Sequence, residues 1–166
     1  NPFDMVVSFS DHYRIRYDGA IEAIAAPSHR VQTTNQGIFQ ILSGWSNHYR
    51  TWFGVDNFHP LLLRYEDMVR NPIKTFGRFT KFLGLPKNPE RLRRAIKNSS
   101  FDEVSSQETV TGFSERSRPD QKFFRAGKVG GYKSILSEAQ IAKIIKAHGE
   151  LLFEKGYITK SERPKF

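Results

Sequence analysis

The apolar positions of this chain fall into helix-spaced stripes separated by Asn-Pro pairs and glycines. Ile141, Ile144, Ile145, His148, Leu151 and Leu152 recur at the spacing of one helix face, and Gly156 follows as a stop. Ser137-Glu138-Ala139-Gln140, just ahead, spells a capping box. His148 lies on the apolar stripe and reads as a packed core histidine. A second stripe, Ile73, Phe76, Phe79, Phe82 and Leu83, opens at Asn71-Pro72 and closes at Gly84 and Pro86. Asparagine suits the cap because its side chain accepts an orphan N–H, and proline suits the first turn because it has no N–H to orphan. Asn88-Pro89 repeats the signal before Leu92, Ala95 and Ile96, and Asn1-Pro2 gives it again at the start. Trp45, His48 and Trp52 share a further helical face, which reads as structural.

One segment reads differently. Leu61-Leu62-Leu63-Arg64-Tyr65, entered through Pro60, is a short and nearly continuous apolar run. That pattern suits a strand buried on both faces of a parallel sheet. Between roughly Ser105 and Lys122 the period fails, and Ser, Thr, Glu and Arg alternate around one proline. The stretch is expected to be a loop, of the kind that acts as a lid beside a ligand site. A strand followed by helices points to the α/β class, with part of a parallel sheet flanked by helices.

Composition narrows the field. The 166 residues suit one domain. Fourteen Phe and two Trp supply core material. The net charge of +9 and pI near 9.9 favour an anionic partner: a phosphorylated nucleotide, nucleic acid or a membrane surface. There is no cysteine, hence no disulfide framework and no thiolate metal site, and the five His show no ligand spacing. No run of about 18 apolar residues occurs, so no membrane-spanning helix is expected. Helix-turn-helix, zinc-finger and RNP-like patterns are absent, which argues against nucleic acid.

The segment richest in candidate chemistry is Phe123-Phe124-Arg125-Ala126-Gly127-Lys128-Val129-Gly130-Gly131. Glycines let backbone N–H groups approach a ligand, and Arg and Lys neutralise an anion. Arginine can also grip a phosphate with two hydrogen bonds. A mobile basic surface loop is the competing reading of the same residues. Glu66 and Asp67, after the expected strand, read as capping or salt-bridging groups, since nothing pairs them as a tuned acid and base.

This loop resembles the Phe-Arg-Lys-Gly-x-x-Gly-Asp-Trp-Lys signature of cytosolic-type sulfotransferases. The match is carried by Phe124, Arg125, Gly127, Gly130 and Lys133; Ala126, Gly131 and Tyr132 depart from it. Asn1-Pro2-Phe3-Asp4 through Ser8 resembles the family's Arg-Asn-Pro-x-Asp-x-x-x-Ser element. Tyr65-Glu66-Asp67 and Ser100-Phe101 resemble two more elements, and the text from Gly44 to Trp52 resembles a fifth.

The resemblance implies a P-loop, nucleotide-kinase-like sulfotransferase fold, with residues 1–166 forming the C-terminal portion of one domain. It implies 3′-phosphoadenosine-5′-phosphosulfate (PAPS) as co-substrate, no metal, and sulfuryl transfer to a hydroxyl or amine of a small-molecule or glycan acceptor. Ser8, Phe124, Arg125, Ala126 and Gly127 would hold the 3′-phosphate. Phe101 would stack on adenine, with Ser100 and Tyr65 beside the base. Losing the usual Lys at Ala126 would weaken the phosphate grip. The 105–122 stretch would cap the acceptor pocket. The family's phosphate-binding loop and histidine base do not occur in the chain, so an N-terminal portion is an expected partner and the isolated chain is expected to transfer nothing. A cytoplasmic location is implied. A non-catalytic basic nucleic-acid-binding module and an inactive fragment are the alternatives.

Overall fold

The computed structural model describes residues 1–33, 38–114, 116 and 120–166. The chain divides into two compact units, residues 1–60 with 130–166, and residues 61–129.

The first unit is built on α1 (Pro2–Tyr13), α2 (Tyr17–Ala25), α3 (Trp45–Phe53) and the long C-terminal α8 (Glu138–Glu154). Asn1 caps α1 as expected: its Oδ1 accepts from the Asp4 N–H at 2.9 Å, and Pro2 fills the first turn. Phe3, Val6, Val7 and Ser10 then fall on the buried face of α1. Both halves of the capping box at α8 are present, with Gln140 N–H donating to Ser137 Oγ at 3.3 Å and Ser137 N–H to Gln140 Oε1 at 3.1 Å. The buried face of α8 carries Ile144, His148, Leu151 and Leu152. These faces meet Ala20, Ile21 and Ile24 of α2, Tyr132 and Leu136, and Tyr157 and Ile158 after α8 in one core. A two-stranded antiparallel ribbon pairs β1 (Arg30–Val31) with β2 (Gln40–Ile41), in the register Arg30 to Ile41 and Val31 to Gln40.

His148 is a core residue, as its place on the stripe suggests. Its ring is buried, edge-on to Trp45 at 5.5 Å, and its Nδ1 lies 2.8 Å from Ser46 Oγ. Burial lowers its pKa, against an opposing pull from the Ile24 backbone. The face shared by Trp45, His48 and Trp52 splits. Trp45 packs on the core, while His48 is exposed and Trp52 is half exposed.

The second unit runs α4 (Tyr65–Arg70), α5 (Pro72–Phe82), α6 (Pro89–Asn98) and α7 (Phe101–Thr111), then a long return to Val129. Asn88 caps α6 by accepting from the Arg91 N–H at 2.9 Å. Asn71 occupies the cap position of α5 but makes no side-chain cap. Thr75 Oγ1 instead donates to the Asp67 carbonyl at 2.9 Å and ties α5 back to α4.

Two sequence expectations are corrected here. Residues 61–64 belong to no strand in the described residues, and Tyr65 opens a helix rather than ending a strand. An apolar run specifies extended, buried backbone, but a strand exists only where a neighbour supplies the ladder. The aperiodic stretch from Ser105 is helical through Thr111, because Ser105 and Glu108 continue a helix face with polar side chains where an apolar count finds no period. Of the remaining loop expectation, residues 115 and 117–119 lie outside the described residues.

Candidate functional site

The site is built from α7 outward. Phe101, Val104, Ser105 and Glu108 recur at helical spacing on the side of α7 that is turned inward. Glu108 is fully buried at 2 % exposure and accepts a set of hydrogen bonds. Its Oε1 takes the Phe123 N–H at 2.6 Å and Arg116 Nε at 2.7 Å, and its Oε2 takes the Phe124 N–H at 2.9 Å. Arg116 also donates to the Glu108 carbonyl at 2.8 Å. Burial alone would raise this carboxyl's pKa. The two backbone donors and the guanidinium outweigh it and hold the group below its usual range.

Two turns earlier on α7, the Phe101 ring meets the same loop at Gly127. Gly127 has φ +60°, and a Cβ there would overlap the ring, so only glycine fits. Seven residues of α7 rise about 10 Å. The segment from Phe124 to Gly127 thus meets α7 at two points, Glu108 at one end and Phe101 at the other. Phe113, Phe123 and Phe124 form a ring cluster with centroids 4.7 to 5.2 Å apart, which covers the Glu108 end. Arg125, between the two fixed points, is exposed, and Ala126 and Gly127 are partly covered.

Ser100 is the N-cap residue of α7, yet its hydroxyl makes no cap hydrogen bond to the helix. It stands exposed one residue before the Phe101 ring, free to meet another polar partner. An aromatic ring, a hydroxyl and a guanidinium are thereby set on α7 and the loop beside it. Tyr65, at the start of α4, is half exposed in the same unit. Ser8 belongs to the first unit, on the exposed side of α1.

The far end of the glycine-rich segment is fixed within the first unit by a second carboxylate. Asp4 Oδ2 accepts the Gly130 N–H at 2.7 Å and Oδ1 the Tyr132 N–H at 3.0 Å, at the start of a 3₁₀ turn (Gly131–Ser134). Asn1 Nδ2 holds the same carboxylate at 2.9 Å. Tyr132 stacks on Phe3 at 5.0 Å and donates its hydroxyl to the Phe166 carbonyl at 2.6 Å. Burial first, and the Asp4 charge second, push its pKa up to about 12.

Glu108 and Asp4 are the residues that sequence reasoning missed as site builders. Asp4 looks like an ordinary first-turn carboxylate, favoured there by the helix dipole. Glu108 could have been found from its i+7 position relative to Phe101, had polar residues been admitted to the helix period. Among the described residues, no group of three or more His, Cys, Asp or Glu is arranged to hold a metal, and no helix is long and apolar enough to cross a membrane.

A family model described as "Sulfotransferase domain" matches residues 1–156. Rat sulfotransferase 2A6 is 32% identical over 113 residues, covering 64% of this chain and 39% of the relative. The flavonol 3-sulfotransferase of Flaveria bidentis is 31% identical over 110 residues, covering 60% of this chain and 35% of the relative. The crystal structure of mouse sulfotransferase SULT7A1 complexed with PAP superposes with a TM-score of 0.66 at 22% identity, over 92% of this chain and 56% of that one. The chain thus spans under two fifths of the length of these curated relatives, and it has the sulfotransferase fold. With the family model matched over nearly its whole length, this chain belongs to the sulfotransferase family.

Proposed function

We propose that this chain supplies the adenine- and 3′-phosphate-binding part of a PAPS-dependent sulfotransferase. The observation that carries the reading is the contact between Gly127 and the Phe101 ring, which joins the Arg125 loop to the Ser100-Phe101 element. The donor set fits the nucleotide. An aromatic ring and a hydroxyl suit a base, and a cation beside a glycine backbone suits a phosphate. Tyr65, in the same unit, would lie beside the base. When bound, PAPS supplies the sulfuryl group that passes to a hydroxyl or amine acceptor. This chain's own residues hold and orient the nucleotide.

Leu61–Leu63 and the apolar side of α5 suit the parallel sheet of the family's fold, with its other strands and the phosphate-binding loop coming from further polypeptide. The loop after α7 would serve as the lid. A cytoplasmic location goes with this reading.

Calorimetry tests it, with 3′-phosphoadenosine-5′-phosphate and adenosine-5′-phosphate as paired ligands. Arg125→Ala should weaken the first about 10- to 100-fold and leave the second nearly unchanged, since a charge-assisted contact is lost only where the 3′-phosphate exists. Phe101→Ala should weaken both alike. Equal losses for both ligands in Arg125→Ala would remove the 3′-phosphate from this loop.

A further inference from the structure

Lys128 lies in the glycine-rich loop but takes no part in the contacts that fix it to α7. Residues 121–129 hold three cations, Lys122, Arg125 and Lys128, and no carboxylate. Lys128 is exposed, and among the described residues no carboxylate pairs with it. Glu108 reaches this loop from α7, but its charge is met by Arg116 Nε at 2.7 Å and by the Phe123 and Phe124 N–H groups. The Lys128 ammonium is left to an anion from outside the chain.

Its place in the loop follows from Gly127. That residue has φ +60° and rests against the Phe101 ring, so the chain turns between Arg125 and Lys128 at the Phe101 end of the loop. Three residues of chain separate the two cations, at most about 11 Å, and both are exposed. Lys122 lies at the other end, before the Phe113, Phe123 and Phe124 rings. A phosphate monoester carries about 1.5 to 2 negative charges at neutral pH. One guanidinium leaves much of that charge unmet. An ammonium on a flexible stem, which needs no fixed approach direction, suits the remainder.

We infer, on the nucleotide reading above, that Lys128 is the second cation of the 3′-phosphate site and sets this chain's preference for a 3′-phosphorylated nucleotide. Arg125 and Lys128 then flank the turn at Gly127 and share one phosphate, with Ala126 between them uncharged. The cation missing at position 126 is supplied two residues later, from the far side of Gly127. A lysine added at 126 therefore gains little while Lys128 is present and more once Lys128 is gone.

The test is calorimetry of the 166-residue chain with 3′-phosphoadenosine-5′-phosphate and adenosine-5′-phosphate, at about 0.05 M salt to limit screening of exposed charges. Lys128→Ala should weaken the first ligand about three- to tenfold and leave the second nearly unchanged. Lys128→Arg should bind both as the parent does. Lys122→Ala, which removes an exposed cation from the other end of the loop, should also leave both unchanged. In the Lys128→Ala background, Ala126→Lys should recover most of the loss, a larger factor than it gains in the parent. Equal melting temperatures show that the variants are folded. If Lys128→Ala costs nothing, or costs both ligands alike, while Arg125→Ala still separates them, the role of Lys128 is overturned and the nucleotide site stands. A loss in Lys122→Ala equal to that in Lys128→Ala also overturns it, since general charge would then be the cause. A parent chain with no preference for the 3′-phosphorylated ligand overturns the role of Lys128 and the nucleotide reading together.

Discussion

The two units solve the problem of burial in opposite ways. The first unit holds every fully buried apolar side chain among the described residues, from Phe3 and Val6 through Ile144 and Leu152 to Ile158. In the second, the fully buried side chains are Glu66, Thr75 and Glu108, while Ile73, Phe82, Leu83 and Leu85 are about half exposed. Identical rules of helix capping and periodicity operate in both. A helix with an apolar face gains stability only when something covers that face, since packing rather than propensity supplies most of it. The first unit has its cover. The second is held by hydrogen bonds to buried polar groups and carries most of the candidate nucleotide site.

The largest test of this contrast is a pair of truncations. Leu152→Ala empties part of the first unit's core and should cost about 2–5 kcal/mol in chemical denaturation. Phe82→Ala removes a larger ring that is already 54 % exposed, and should cost under about 1 kcal/mol. Comparable costs would mean that Phe82 is buried in solution by a second copy or another polypeptide.

Next in size is the anchoring of the loop. Glu108→Gln keeps the shape of the side chain but turns a donor amide toward one of the groups that now donate to it. Hydrogen exchange of the Phe123 and Phe124 amides should speed up about tenfold or more, while that of α8 amides stays as it was. The wild-type contribution follows pH with a definite sign. Because the folded-state pKa is depressed, the stabilisation is present above the ordinary carboxylate range and fades as pH falls through the folded value. Unchanged exchange at Phe123 and Phe124 would show that Glu108 does not hold the loop.

A smaller effect separates the units by pH. His148 is buried in the first unit with a depressed pKa. The unfolded chain takes up its proton below about pH 6.5, while the folded chain stays neutral until lower pH. Stability should therefore decline as pH falls below that point, with a slope of at most one proton from this residue. His148→Phe should flatten that part of the curve. A slope unaltered by the substitution would assign it to other groups. The smallest expected change is in the loop itself. Ala126→Lys restores a cation at a partly covered position and should tighten 3′-phosphoadenosine-5′-phosphate only a few-fold, as for other solvent-screened charges. Tightening of adenosine-5′-phosphate to the same extent would point away from the 3′-phosphate.

The sequence by itself determined the helices and their caps wherever the signal was local. Asn1-Pro2, Asn88-Pro89 and the Ser137 capping box each satisfy backbone donors within four residues, so neighbours in sequence are enough. His148 was legible as a core residue because its periodic position already decides its burial. The elements of the candidate site could be read as residue types in order along the chain. What tertiary structure decided was every relation between residues distant in sequence. Leu61–Leu63 could not be fixed as a strand, because pairing is a property of two segments and not of one. The helix period could place Glu108 on the Phe101 face, but not what it binds, because its backbone partners lie 15 and 16 residues further on. Gly127 has its meaning only against the Phe101 ring, and Asp4 only against backbone donors 126 and 128 residues away.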